Sequence, residues 1–306
     1  MEEDGSLAGK RALIMRAQMV RAMRDFLIAR DYLEVETPQL IAAPIPEAHI
    51  DAVTCGDLYL HTSPEQHMKR LLAAGHPKIF QICKCFRRGE RGSHHLPEFT
   101  MLEWYYRGMD YRSLMGECEE LVSAVARDIG REDTINYQGK TIGLKRPWET
   151  VSVREAFVRY APLSMERAVT EGCFDEIMVT CIEPHLGRTR PTFILDYPVS
   201  ASSLAGRKHD DPTLSERFEL YIGGIEIANA CTELTDPDEH RRRFEDVNRI
   251  RKSAGKQVYP VSEDFLSDVA SIGEAAGIAL GVDRLAMIFS DSAAIDCVVP
   301  FVPESM

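Results

Sequence analysis

Two groups of residues in this chain have the types and spacing that chemistry needs, and the first is acidic. The stretch ERFELYIGGIEIANACTEL places Gly223-Gly224 between two strand-like runs, the pattern of a tight two-residue hairpin. In that register Ile222 faces Ile225 and Tyr221 faces Glu226, so Glu219 lies on the same side as Glu226, as its diagonal neighbour. Diagonal side chains start about 7–8 Å apart, within reach of one shared cation. Mg²⁺, which takes one or two carboxylates together with substrate phosphates, suits such a pair. Two solvated glutamates on an edge hairpin fit the same pattern. Asn229 and Glu233 follow, and Asn229 falls on the far side from Glu226 unless the strand carries a bulge.

The second group is cationic. FQICKCFRRGERGSHHLPEFTMLEWYY reads as two alternating strands joined by a loop that carries Arg87, Arg88, Arg91, His94 and His95. Phe99, Met101, Glu103 and Tyr105 share one face of the second strand. An arginine-rich loop beside an aromatic ring, a carboxylate and a phenol suits a clamp for a polyphosphate, with the sheet holding an aromatic base and a cation. A plain hairpin with a solvated tip also fits. Towards the C-terminus, GIALGVDRL reads as a small-residue strand entering a helix. Its glycines allow close approach of a ligand or a backbone. Arg284 stands near the helix N-terminus, where the dipole disfavours a cation, which invites a phosphate partner or a neighbouring acid.

The elements that must position these groups follow from periodicity and turn chemistry. Residues 10–30 form an amphipathic helix with Met15, Met19, Val20, Met23, Phe26 and Leu27 on one face, and Arg16 breaks that pattern. YLEVETPQL is a short strand stopped by Pro38. A strand over Leu58–Thr62 leads into Ser63-Pro64-Glu65-Gln66, a helix start with Ser63 as N-cap and Gln66 closing a capping box. Glu65 there is explained by the helix dipole alone. Helices are expected over 110–130 and Val151–Tyr160, and a strand over Thr192–Tyr197. No repeat, linker or low-complexity tract divides the 306 residues, which reads as one continuous domain.

Composition sets the outer bounds. Hydrophobic residues at 44% and charged residues at 27% are ordinary for a globular enzyme. No apolar run approaches a membrane span and the first residues have no leader pattern, so a cytoplasmic protein without membrane association is expected. The net charge of −12 argues against broad nucleic-acid binding but leaves room for a local basic groove. Eight cysteines in a chain this long are no disulfide scaffold. Cys83 and Cys85 share a strand face, yet no second pair at zinc-ligand spacing follows, and they read as structural thiols.

In order along the chain, EVETPQL, TSPE, FRRGERGSHHLPEF, EFTMLEWY, EIANACTEL and GIALGVDRL resemble the catalytic domain of class II aminoacyl-tRNA synthetases, most closely the lysyl branch. The resemblance covers about residues 10–290. It implies an α+β fold, an antiparallel β-sheet flanked by helices, usually a homodimer through the first motif. The implied reaction is ATP- and Mg²⁺-dependent formation of an aminoacyl-adenylate. Carried over by position, Arg87 is similar to the α-phosphate arginine, and Arg284 and His95 to the groups at the terminal phosphates. Phe99 matches the ring that stacks on adenine, with Ile227 and Gly281 also at the nucleotide. Glu219 and Glu226 match the metal carboxylates. Glu65, beside Ser63, matches the acid that holds a substrate amino group. Glu103, Tyr105 and Glu233, with Asn229 nearby, match the set around a lysine side-chain ammonium. The sequence departs from the pattern at Gly89, which takes the place of an acid that here follows as Glu90, at Leu96, and at Ala230-Cys231.

About ten residues precede the first helix, which leaves no room for the anticodon-binding barrel of a tRNA-charging enzyme. The resemblance therefore implies the stand-alone branch of the family, whose members attach β-lysine to a lysine of elongation factor P. Lysine or β-lysine is the expected substrate, and tRNA is not the expected acceptor. Ala279 stands where tRNA-charging relatives carry glycine, and its methyl suits a β-amine better than an α-amine. A truncated enzyme that charges tRNA or another acceptor, and an inactive regulatory relative, are the alternatives.

Overall fold

The computed structural model describes residues 9–202 and 204–305. The expectation of a leaderless start rests on Met1–Ala8, which lie outside the described residues. Alternation along the chain produces the strands of an eight-stranded sheet, numbered here in chain order: β1 (Leu33–Glu34), β2 (Lys78–Phe86), β3 (Glu98–Arg107), β4 (Glu149–Ser152), β5 (Thr192–Pro198), β6 (Leu214–Ile222), β7 (Ile225–Thr232) and β8 (Ala275–Gly281). Their order across the sheet is β1-β2-β3-β8-β7-β6-β5-β4. The six inner strands are antiparallel, but β1 pairs parallel to β2 and β4 parallel to β5. The expected antiparallel sheet is thus corrected at both edges. Long connections separate each edge strand from its neighbour, which permits the crossover that parallel pairing requires.

Period-two alternation divides the sheet's residues between two jobs. Leu102 and Trp104 of β3, Phe218 and Leu220 of β6, and Ile278 and Leu280 of β8 belong to the main hydrophobic core. The residues between them face a cavity on the other side. The core is completed by helices α1 (Lys10–Ile28), α3 (Tyr111–Asp128) and α5 (Val282–Phe289). Helices α2 (Glu65–Ala73) and α4 (Pro237–Ser253) lie elsewhere, and their apolar residues help form a second core with Tyr105 and Ile79. The methionine stripe of α1 is core: Met19 and Met23 are fully buried, and Met15 and Val20 pack against the same cluster. Residues 151–197, poorly legible in the sequence, form a third core in which Phe157 stacks on Phe174 at 5.3 Å.

Two local expectations change. The capping box is absent, because Gln66 is buried and α2 has no side-chain cap at its N-cap residue, Pro64. Ser63 Oγ instead accepts a bond from the Glu65 backbone N–H at 3.0 Å and turns its own hydrogen elsewhere. The pattern-breaking Arg16 also finds its reason. It pairs with buried Asp283 at the start of α5 at 2.7 Å and donates to Thr100 Oγ1 at 2.7 Å. Asp283 Oδ2 in turn accepts from the Thr100 backbone N–H at 2.6 Å. One carboxylate thus ties α1, β3 and α5 together. Removing Arg16 leaves that carboxylate buried and short of a partner, so Arg16→Ala is expected to cost about 3 kcal/mol in urea unfolding. A loss below about 1 kcal/mol, the range of an exposed pair, would show that the clamp is not structural.

Candidate active site

The cavity has a volume of about 580 Å³ and is walled by both hairpins and by β8. All fifteen residues expected from the sequence to form a site line it: Ser63 and Glu65 from the entry to α2, Arg87 and His95 from the loop after β2, Glu233 from just past β7, Arg284 from α5, and the rest from strands. The acidic hairpin turns as expected. Gly223 and Gly224 both adopt positive φ, at 66° and 83°, and the pairs Ile222–Ile225 and Tyr221–Glu226 form. A register shift then leaves Ile227 without a partner, and Glu219 pairs with Asn229. This is the bulge that Asn229 needs. Before it, the odd-numbered Ile225 and Ile227 enter the core; after it, the even-numbered Ala228 and Ala230 do. Glu226 and Asn229 consequently reach the same cavity.

At one end the cavity is set up for anions. Arg87 lies over the Phe99 ring at 5.0 Å, and its Nε has no hydrogen-bond partner among the described residues. Glu90 approaches it at 3.9 Å, so the acid displaced by Gly89 still reaches the cavity from the next position. Gly89 itself has φ 79°, a conformation that disfavours a side chain there. Arg284 pairs with Glu226 Oε2 at 3.1 Å and donates to the Glu226 carbonyl at 3.0 Å. It also lies 2.6 Å from His95 Nε2. Burial and the adjacent Arg284 lower the His95 pKa to about 4, which keeps that imidazole neutral and able to accept. Arg91, in contrast, leaves the expected clamp and pairs with Asp296 and Glu304 on the surface.

Glu219 sits between the two ends. Its Oε2 accepts from the hydroxyls of Tyr197 at 2.6 Å and Tyr221 at 2.8 Å, and Arg217 approaches Oε1 at 2.5 Å. Burial raises the Glu219 pKa, with Arg217 opposing. Glu183 lies close by, pushed up to about 7 by burial and by the charges of Glu219 and Glu226. Three carboxylates gathered this closely, two of them lining the cavity as Glu219 and Glu226, fit a divalent cation.

The other end is an acidic slot. Ser63 donates to Glu103 Oε1 at 2.6 Å and Tyr105 to Glu103 Oε2 at 2.9 Å. Lys69, fully buried, lies 2.5 Å from both Glu65 Oε1 and Glu233 Oε2. Burial disfavours its charge, but the two carboxylates more than reverse this and hold the ammonium protonated. Burial lifts Glu233 to about 7 against the pull of Lys69. Burial and Glu65 lift Glu103 to about 8. Gly277 is required beside this slot: a Cβ there would stand 2.1 Å from the Tyr105 ring and 2.4 Å from Glu233 Oε1. Ala279 pairs with Asn229 on one side and Glu103 on the other, which puts its methyl between them on the cavity floor.

Sequence reasoning missed Lys69, Arg217, Tyr197 and Glu183. Lys69 was visible as the i+4 neighbour of Glu65 on one helix face, and Arg217 as the i−2 neighbour of Glu219 on one strand face. Tyr197 was not visible, because it turns toward Glu219 past a register shift in β5 at Asp196, which has φ 64°.

A mostly antiparallel sheet carrying a cationic end, an acidic pair and an acidic slot fits a class II synthetase site. The chain matches the family described as tRNA synthetases class II (D, K and N) over residues 7–305, and it belongs to that family. Among its relatives, an elongation factor P–(R)-β-lysine ligase of Pectobacterium carotovorum subsp. carotovorum is 38% identical over 313 residues, covering 95% of each chain. A ligase of the same name from Salmonella gallinarum is 38% identical over 307 residues, covering 94% of each. A lysine–tRNA ligase of Moorella thermoacetica is 37% identical over 320 residues; the match covers 95% of this chain and 65% of that relative.

The raised Glu103 pKa has a sign that can be tested. Below about 8 the empty site holds a proton on Glu103, whereas an ammonium ligand requires the carboxylate. Binding of a diamino acid at pH 7 is therefore expected to expel a proton, and affinity to rise with pH toward 8. Calorimetry in two buffers of different ionisation enthalpy measures this, and identical heats would contradict it. Glu103→Gln is expected to raise the KM for the amino acid about 10–100-fold while the KM for ATP stays within about threefold.

Proposed function

We propose that this chain activates lysine or β-lysine with ATP and transfers it to a lysine side chain of elongation factor P. The observation that carries this reading is the charge balance of the slot. Glu65, Glu103 and Glu233 face a single ammonium, Lys69, which leaves the ionised slot two positive charges short. A diamino acid supplies two ammonium groups, and its own carboxylate is left to point toward Arg87. Buried acids need that pairing, and a ligand with one ammonium would satisfy only half of it.

In the first step a carboxylate oxygen of the amino acid attacks the α-phosphorus of ATP, and the bond to the bridging oxygen breaks to release pyrophosphate. The attacking group is already an anion, so no protein nucleophile or base is needed. Arg87 and Arg284 are placed to neutralise phosphate charge, neutral His95 to orient Arg284, and Phe99 to stack on the base, with Ile227 and Gly281 beside it. Glu219 and Glu226 would hold Mg²⁺, which supplies further neutralisation of the phosphates when bound. In the second step the acceptor amine attacks the activated carbonyl carbon, loses a proton and displaces AMP.

The match over nearly the full length of the elongation factor P ligases supports the protein acceptor over tRNA. We read the whole chain as one catalytic domain, supported by β4 and β5 joining the same sheet as the two hairpins. Exposed Ile28, Leu33 and Leu40, on α1 and the strands after it, support pairing of two copies through that segment. No helix among the described residues is long and apolar enough to cross a membrane.

Mass spectrometry of elongation factor P incubated with this protein, ATP and each lysine isomer is expected to show one added lysyl group. Transfer to tRNA without transfer to the factor would overturn the acceptor. Replacing Ala279 by Gly is expected to shift the α- to β-lysine ratio of kcat/KM about 10–100-fold toward α-lysine, the scale of one methyl in a pocket. An unchanged ratio would remove Ala279 from substrate selection.

A further inference from the structure

On β2, opposite the cavity-lining Phe99 and Met101 of β3, lies a cluster that the proposed reaction does not use. His61 follows a short strand, Leu58–Leu60, and is fully buried. Its backbone carbonyl accepts from Phe86 at 3.0 Å, which seats the ring against the end of β2. Cys83 and Cys85 stand on one face of that strand, Cys85 fully buried and Cys83 partly so. A ring nitrogen of His61 and the two sulfurs all lie within 4.8 Å of one another, and the sulfurs are 4.0 Å apart.

The hydrogen-bonding of His61 defines what the cluster lacks. Nε2 lies 2.7 Å from the carbonyl oxygen of Lys84, which can only accept, so Nε2 carries the hydrogen. A neutral ring then presents a lone pair at Nδ1, and Nδ1 is buried without a hydrogen-bond partner among the described residues. A ligating histidine shows this arrangement, with one nitrogen donating to a backbone carbonyl and the other turned to the ion. Two thiolates on a tetrahedral Zn²⁺ at about 2.3 Å stand about 3.8 Å apart, close to the sulfur separation seen here. Two thiolates and one divalent cation also sum to zero charge, which makes their burial tolerable.

We propose that His61, Cys83 and Cys85 form a binding site for one thiophilic divalent cation, Zn²⁺, with its fourth position open on the Cys83 side. The soft donor set separates it from the oxygen donors of Glu219 and Glu226, which suit Mg²⁺. The ion would join β2, which leads into the Arg87 loop, to the segment that leads into Ser63 and Glu65. It would thus brace the cationic end of the cavity against the acidic slot without touching either substrate.

The test uses the full chain, stripped with a chelator, incubated with ZnCl₂ or CoCl₂ and desalted. About one ion per chain is expected by elemental analysis, with a thiolate-to-cobalt charge-transfer band in the near ultraviolet. The same result is expected in Glu219→Ala/Glu226→Ala, which lacks the oxygen site. Cys83→Ser/Cys85→Ser is expected to lose the band and at least about tenfold in zinc affinity, and His61→Gln to weaken binding to a similar degree. Because a cysteine variant can misfold, the wild-type measurement decides by itself: no retained ion and no band overturns the site. A band that persists in Cys83→Ser/Cys85→Ser also overturns it, since other free cysteines would then be the ligands.

Discussion

A single buried ammonium governs the acidic half of this molecule. Lys69 has no exposed surface and stands between Glu65, four residues earlier on its helix, and Glu233, across the cavity. Without it, two carboxylates would face each other out of water, at a cost of several kcal/mol per ion. With it, the slot folds yet stays short of positive charge, because Glu103 has only hydroxyl donors. That residual demand is what a cationic substrate can satisfy. Burial, with the charge of Glu65 adding to it, pushes Glu103 up to about 8 and Glu233 up to about 7, out of the usual carboxylate range.

The sheet delivers these groups through small departures from regularity. A bulge at Ile227 reverses the parity of β7, so that Glu226 before it and Asn229 after it share the cavity. A second irregularity at Asp196 turns Tyr197 onto Glu219. Gly277 leaves the space that Tyr105 and Glu233 occupy. The Arg16–Asp283–Thr100 clamp fixes α5 and with it Arg284 at the cationic end of the cavity. Core and site are therefore two faces of one set of strands. A change of register on one side would move catalytic groups on the other.

Much of this was legible in the chain. Alternation located β2, β3, β6 and β7, the Gly-Gly dipeptide fixed the turn, and small residues before Val282 marked β8. The bulge was inferable as a need of Asn229 but not as a fact, because one extra residue leaves no compositional mark. Two errors have a common cause. Local sequence alone suggests a capping box closed by Gln66 at Ser63, and Arg91 as part of the clamp. Ser63 finds a partner 40 residues away, and Arg91 finds partners more than 200 residues away. His61 was passed over for the same reason, since nothing in its neighbours announces two sulfurs from another strand. Long-range side-chain pairing is what periodicity cannot report.

On this reading, three acids facing one lysine require two positive charges from the ligand. Amino-acid-dependent ATP–pyrophosphate exchange with lysine and with norleucine, which differs by the loss of the side-chain ammonium, tests this most directly. A site of unpaired buried acids is expected to favour lysine by about 10⁴-fold in kcat/KM. Values for the two amino acids within about tenfold of each other would contradict it.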